Sequence, residues 1–570
     1  MKKYFYVSLI FLIANQYNGH AKLAADSATI THSGTNINSL DAMQTTNLTA
    51  LCKVWGLLKY YHPSIAKGNF DIDQELFKIL PKVYTCKTKD EFNSVIKNWI
   101  SELGKVRSCK KCNEPDGANV AFSPDFKWLI DETIFTPEVI KTLVFIKNNP
   151  NLGNHYYIDK TKFVGNPQFI NEKKYSEIVN PDAGFRLLCL FRYWNIIQYF
   201  FPYKDIIGED WNKKIPEFLP KFLNAKDSLS YQLIALELIA QIHDTHANLY
   251  SKTIKDYRGV NYSPAQVKII EGKVVVTGYF NDKFSEISLL QVGDIITKIN
   301  KKTVEELIKD RQQISPASNY PTQLRDIAHD LLRSNLKVLP VELIRNNQVV
   351  LIDIPLMSGI HFNLYKDYNG PTDTCFKMIN SEVSYFNLGK IKAKYLPDLM
   401  KIAMPTKGMI IDLRCYPSEF MVFEMDKYLL PFKTFFVKFS TPNIDYAGYF
   451  EYTKIEENGH STKEYYKGKV IILINEITQS QAEYTTMALR TAPKAVVLGS
   501  TTAGADGNYS YINLPGGIST GISGIGVFYP DGKQTQRLGI IPNIEVKPTI
   551  KGIKERRDEL IEKAIEIINQ

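Results

Sequence analysis

Lys469-Val-Ile-Ile-Leu-Ile474 runs straight into Asn475-Glu-Ile-Thr-Gln-Ser480-Gln-Ala-Glu-Tyr-Thr-Thr-Met-Ala-Leu489. The first six residues are a short apolar run closed by a polar turn, the pattern of a strand buried on both faces. The spacing predicts strand, tight turn and helix, with Ser480 at the helix start, where the dipole is positive. Unpaired N–H groups of a first helical turn can face a developing oxyanion. The same residues also read as plain capping, with Ser480 as N-cap and Glu483 completing a capping box.

Gly408-Met-Ile-Ile-Asp-Leu-Arg414 and Ala495-Val-Val-Leu-Gly499 have the same character. Strands alternating with helices predict a parallel sheet over 375–570, closed by a charged helix at 551–569. Residues 259–357 instead read as short strands. Lys273–Phe280 is one, Leu290–Asn300 is a turn and a strand, and Thr303–Lys309 is a short helix. Val341–Ile354 is a hairpin with Asn-Asn at its turn.

Further upstream the chain repeats itself. Leu51-Cys-Lys-Val-Trp-Gly-Leu-Leu-Lys-Tyr-Tyr-His-Pro63 returns as Leu190-Phe-Arg-Tyr-Trp-Asn-Ile-Ile-Gln-Tyr-Phe-Phe-Pro202. One constant offset also aligns Asp71 with Asp210 and Leu80-Pro-Lys82 with Leu219-Pro-Lys221. Two related helical hairpins packed on each other are expected. The copies part where the second ends in His243-Asp-Thr-His-Ala247 and the first has Gly104-Lys-Val-Arg-Ser108. A shared fold has no need of His246, which marks it for another task.

The 570 residues are 44% hydrophobic and 23% charged, which excludes disorder, collagen-like repeats and a multi-span membrane protein. The formal charge of +9 is mild and the basic run Lys105–Lys111 is short, so no nucleic-acid partner is expected. Met1-Lys-Lys, apolar Tyr4–Ala14 and Gly19-His-Ala21 read as a cleaved secretory leader over 1–21, implying a periplasmic or extracellular protein. No cysteine near the cleavage point suggests a lipid anchor, and no later segment has the apolar length of a membrane span. Residues 22–45, rich in Ser, Thr and Asn, read as a flexible lead-in. Of seven cysteines, Cys109-Lys-Lys-Cys112 reads as a local disulfide or two thiols rather than a metal site. His243 and His246 suggest no third metal ligand. No phosphate-binding loop or dinucleotide fingerprint is present, so no cofactor is expected. Oligomeric state has no signature here.

Asn-Glu-x-x-x-Ser-x-x-Glu after an apolar strand resembles the nucleophile motif of the carboxyl-terminal processing peptidases, or tail-specific proteases. Gly499-Ser-Thr-Thr-Ala-Gly504, Gly539-Ile-Ile-Pro-Asn-Ile-Glu-Val546 and Asp412-Leu-Arg414 resemble that family too. Val292-Gly-Asp-Ile-Ile296 resembles a PDZ domain, a module typical of the family that binds chain ends by strand addition. The resemblance implies a multidomain α+β chain. Its parts are a helical repeat with linker (46–180), a second repeat carrying the His motif (181–258), a PDZ-like β domain (259–357) and a crotonase-like ββα peptidase core (375–570).

The processing peptidases pair their serine with a lysine, but the corresponding place here reads Gly504-Ala-Asp-Gly507. Lys494 precedes a strand and belongs at the other end of the sheet. The tricorn-like branch uses a distant histidine, and Asp244-Thr-His246-Ala resembles its motif. His246 is then the general base for Ser480, with Thr245 adding a hydrogen bond. Gln536 stands where that branch has a glutamate that orients the imidazole, and would orient it without charge; Asp531 and Asp244 are weaker substitutes. The oxyanion would be held by the Gln481 N–H and by Ser418 N–H in the turn Tyr416-Pro-Ser-Glu419, which has lost the family's glycines. The resemblance implies an exported serine peptidase acting on polypeptides or oligopeptides. The alternative is an inactive peptide- or ligand-binding protein on the same scaffold.

Overall fold

The computed structural model describes residues 30–570. The leader at 1–21 therefore lies outside the described residues. The described part of the lead-in is irregular to Leu40, yet Ser33, Thr35 and Ile37 are buried. The Ser33 hydroxyl and N–H both donate to Asp182, 2.7 Å each. The first helix begins at Ala42, inside the span read as flexible, because Asp41 and Gln44 form a capping box.

Helices Ala42–Tyr61 and Ala183–Phe200 cross at Gly56 and Asn195. A Cβ on Gly56 would lie 1.7 Å from Asn195 Oδ1, so glycine permits the crossing. Gly56 and Asn195 stand at the same position in the two similar stretches of sequence. So do the buried indoles: Trp55 donates to the Ile72 carbonyl (3.0 Å) and Trp194 to the Trp211 carbonyl (2.9 Å). Between the copies, Lys59 and Arg192 are fully buried against Glu172 and Asp73. Each buried cation thus faces a carboxylate, the condition under which such charges are tolerated. Cys109 and Cys112 form a disulfide.

Residues 265–355 contain an antiparallel sheet ordered Gln348–Pro355, Val338–Arg345, Ile295–Ile299, Lys273–Tyr279, Ala265–Ile270. Helix Tyr320–Leu331 packs on the last strand. Asn346 and Asn347 make the hairpin turn, both at positive φ (51° and 64°), as a two-residue turn of matching twist requires.

In the C-terminal part, strands Val383–Asn387, Gly408–Asp412, Lys469–Ile474, Ala495–Gly499 and Ile544–Glu545 pair in parallel, with Phe376–Asn380 antiparallel at one edge. Alternate residues feed opposite faces. Met409, Ile411, Val470 and Ile472 join one core, which includes the helix starting at Gln481; Ile410, Ile471 and Leu473 join another under the terminal helix. That terminal region, expected as one helix, is two: Ile550–Lys554 and Glu559–Asn569, broken at Arg556 (φ 55°).

Two contacts make the parts interdependent. Strand Val120–Phe122, from the linker of the first helical copy, pairs with Phe450–Tyr452. The hairpin Tyr509–Leu514/Ile518–Ser523 buries Ile512, Leu514, Ile518 and Ile522 in the helical core. Arg192 donates to the Asn513 carbonyl (3.0 Å) and Tyr231 to the Pro515 carbonyl (2.7 Å), fixing that hairpin to helices Ala183–Phe200 and Ser228–Ala240. Among the described residues, no helix is long and apolar enough to cross a membrane.

Candidate active site

Strand Lys469–Ile474 ends in a turn held by its own side chains. The Asn475 N–H donates to Thr478 Oγ1, and Thr478 Oγ1 donates to the Leu413 carbonyl of the neighbouring strand end (2.7 Å). Ser480 follows, half-buried, at φ 55° and ψ −115°, immediately before helix Gln481–Leu489. A non-glycine residue there carries strain of order 1–3 kcal/mol, which a sharp strand-to-helix elbow can impose on a nucleophile. The Ser480 N–H is satisfied by the Ala505 carbonyl (3.1 Å) and Glu483 Oε2 (3.0 Å).

Glu483 does more than cap. Fully buried, it also accepts from Thr502 Oγ1 (2.5 Å) and from the N–H groups of Gly504 (2.8 Å) and Ala505 (3.1 Å). Burial raises its pKa against those hydrogen bonds. Gly499 (φ 135°) lets the strand leave beside the elbow, since a Cβ would sit 1.9 Å from the Ile474 carbonyl. Thus the loop 500–505 is clamped against the serine turn. Lys494 lies at the far end of the sheet, donating to the Lys467 carbonyl (2.9 Å).

The helix of the second copy ends at Ala240, and His243 (φ 51°) reverses the chain into Asp244–His246. Asp244 is fully buried and accepts from the His246 N–H (3.0 Å), the Ser523 N–H (2.6 Å) and Ser523 Oγ (3.0 Å). His246 Nδ1 lies 2.8 Å from Ser523 Oγ and 3.8 Å from Asp244 Oδ1. With Ser523 donating to the carboxylate, its oxygen accepts from Nδ1–H, which leaves Nε2 as the bare base nitrogen. Among the described residues, Ser480 included, Nε2 has no hydrogen-bond partner. Burial lowers the imidazole pKa, and the Asp244 charge opposes it.

Residues 393–546 match the family described as Peptidase family S41. The chain carries an S41 serine peptidase domain. No curated protein matches the chain. Solved structures that share its fold include two forms of one protein. Mature CPAF complexed with lactacystin has 14% identity and a TM-score of 0.53, over 68% of this chain and 98% of that one. Mature CPAF has 13% identity and a TM-score of 0.53, over 68% and 96%.

Around the peptidase's serine, several expected positions are rearranged. Gln536 is buried but makes no hydrogen bond to His246; its Nε2 donates to Ser318 Oγ (3.4 Å), and Oε1 has no hydrogen-bond partner among the described residues. The Nδ1 side of the imidazole is already taken by Ser523 and Asp244. Thr245 bonds Ser318 through its N–H (2.9 Å) and donates from Oγ1 to the Ala503 carbonyl (3.3 Å). So Thr245 ties the histidine turn to the loop beside Ser480. Asp531 sits on an exposed turn with Lys533.

The Gln481 N–H, first in its helix, has no backbone acceptor. Ser418 N–H is not available, because it donates to the Leu388 carbonyl (2.9 Å). The next residue, Glu419, has an N–H without a partner among the described residues, and its carbonyl accepts from Gln481 Nε2 (3.1 Å). Sequence reasoning missed Ser523 altogether. It lies on a hairpin strand with no motif around it. Asp244 was legible through its place beside His246.

Proposed function

We propose that this peptidase cleaves peptide bonds of polypeptides or oligopeptides through an acyl-enzyme on Ser480, with His246 as general base. Nε2 takes the hydroxyl proton as Oγ attacks the carbonyl carbon, and the carbonyl π pair moves onto oxygen. The Gln481 and Glu419 N–H groups face that oxygen. Collapse expels the amine, which takes the proton from Nε2, and water repeats the sequence on the ester. Asp244 acts through Ser523 to keep Nδ1 protonated and to stabilise the imidazolium.

One observation carries this reading. A single loop receives both halves of the pair: the Ser480 N–H ends on the Ala505 carbonyl and the Thr245 hydroxyl on the Ala503 carbonyl. We read the 259–357 sheet as a PDZ-like module that presents substrate, the two crossing hairpins as a duplicated unit, and the protein as exported on the strength of its first residues.

Turnover of unfolded casein tests the reading. Loss of activity in both Ser480→Ala and His246→Ala is expected. A second reading, a peptide-binding protein without turnover, draws on the absence of a His246–Ser480 hydrogen bond. Peptide binding that survives Ser480→Ala, with no casein cleavage by the native chain, supports that reading instead.

A further inference from the structure

The hairpin that supplies Ser523 turns one face toward the imidazole of His246. Residues directly opposite in an antiparallel pair point to the same side, and so do residues two apart along a strand. Tyr509 pairs with Ser523 and Tyr511 with Gly521. Both tyrosines therefore share the face on which Ser523 Oγ meets His246 Nδ1. The rings agree with this register. Tyr509 stands edge-to-face against the imidazole, with centroids 6.1 Å apart and planes at 78°, and the Tyr511 ring follows 6.5 Å from that of Tyr509. Gly521 lets the Tyr509 ring lie across the opposite strand, since a Cβ there would be 2.0 Å from Tyr509 Cζ. Asn166 pins the strand behind the rings, its Nδ2 donating to the Tyr509 carbonyl and to Ser510 Oγ, 3.0 Å each. Ser510 and Ile512, on the other face, are buried, while Tyr509 and Tyr511 remain exposed. A held pair of aromatic rings thus lies open beside the general base.

We propose that Tyr509 and Tyr511 line the subsite for the side chain that follows the cleaved bond, and that this subsite selects an aromatic or large aliphatic residue. The proposal rests on Ser480 and His246 being the catalytic pair. In that reading the imidazole hands its proton to the departing amine, so the residue carrying the amine leaves past His246. The tyrosine pair is the surface next to the imidazole along the hairpin face. Its chemistry narrows the choice of side chain. Aromatic faces and edges pack against aromatic and aliphatic groups. They also attract cations, but Lys174 already takes that role, its Nζ 6.0 Å from the Tyr511 ring centroid and 3.4 Å from the Tyr511 hydroxyl. A lysine or arginine in the substrate would meet that charge, whereas a phenyl or isobutyl group buries the exposed rings without opposition.

Casein digestion followed by mass spectrometry of the new amino ends locates the cleaved bonds. One cleaved stretch is then made as a peptide with Phe, Leu, Ala or Lys directly after the scissile bond. The ratio kcat/KM is measured on each peptide for the full chain, Tyr509→Phe, Tyr511→Ala and Ser480→Ala. Burying a side chain of this size is worth about 10–100-fold, so the Phe and Leu peptides should exceed the Ala peptide by that factor. The Lys peptide should fall at or below the Ala peptide. Tyr509→Phe should keep the preference, because the ring is retained. Tyr511→Ala should reduce it severalfold at an unchanged melting temperature, and Ser480→Ala should cleave nothing. Native enzyme that cleaves the Phe and Ala peptides at rates within about twofold overturns the subsite without recourse to any variant. A preference that survives Tyr511→Ala intact also overturns it, and both results leave the serine reading standing. Cleavage by Ser480→Ala, or none by the native chain, defeats both.

Discussion

Ser523 Oγ stands between His246 and Asp244, 2.8 Å from the imidazole Nδ1 and 3.0 Å from the carboxylate Oδ1. The carboxylate and the ring are 3.8 Å apart, so the hydroxyl relays the orientation rather than the carboxylate giving it directly. Asp244→Asn replaces an acceptor by a donor against Ser523. A fall in kcat of about 10²-fold or more, with KM little changed, is expected from casein turnover, since the wrong tautomer then faces the serine. Ser523→Ala should cost less, about tenfold, and Ser523→Thr should restore the rate.

A general base works only when neutral. Burial holds His246 below the ordinary histidine value of about 6.5. Activity should therefore rise with pH through a midpoint below that value and be flat across neutrality. Asp244 pulls the pKa upward, so Asp244→Asn should move the acid limb to still lower pH. A kcat/KM profile with its acid midpoint at or above 6.5 contradicts this.

Glu483 gathers four donors in a site without water access. Glu483→Gln puts an amide NH2 against some of them and leaves buried donors unpaired. At about 1–3 kcal/mol for each unsatisfied group, a loss of roughly 3 kcal/mol in denaturant unfolding is expected. Activity should fall with it, because the 502–505 loop shapes the Ser480 turn.

Gly56 gives a test far from the chemistry. Gly56→Ala drives a methyl into Asn195 Oδ1, and Asn195 is itself buried and bonded to the carbonyls of Cys52 and Phe191. Overpacking of this kind costs about 1–3 kcal/mol. Adding Asn195→Ala should return part of that loss, measurable as a positive coupling in a double-mutant cycle.

Much of this arrangement was readable from sequence where the signal is local. The elbow is an apolar run, a breaker cluster and a helix start in order, so the strand, turn and helix around Ser480 were legible. The helices Ala42–Tyr61 and Ala183–Phe200 were legible because apolar residues recur at helical spacing up to Pro63 and Pro202. His246 stood out because the copies disagree there. Long-range pairings left no local trace. Val120–Phe122 is a three-residue strand whose partner lies at Phe450–Tyr452. Ser523 became the imidazole's partner through a hairpin buried among helices. Gln536 was misjudged because nearness to the Gly539 motif says nothing of which way a buried amide turns. Ser418 was misjudged because a turn without glycines spends that N–H on Leu388.

Mass spectrometry of the protein after fluorophosphonate treatment tests the serine–histidine pair most directly. One adduct per chain is predicted, mapped to Ser480 in the tryptic digest, absent from Ser480→Ala and formed at least about 10²-fold more slowly in His246→Ala. An adduct on another residue, or a rate indifferent to His246→Ala, would contradict the account.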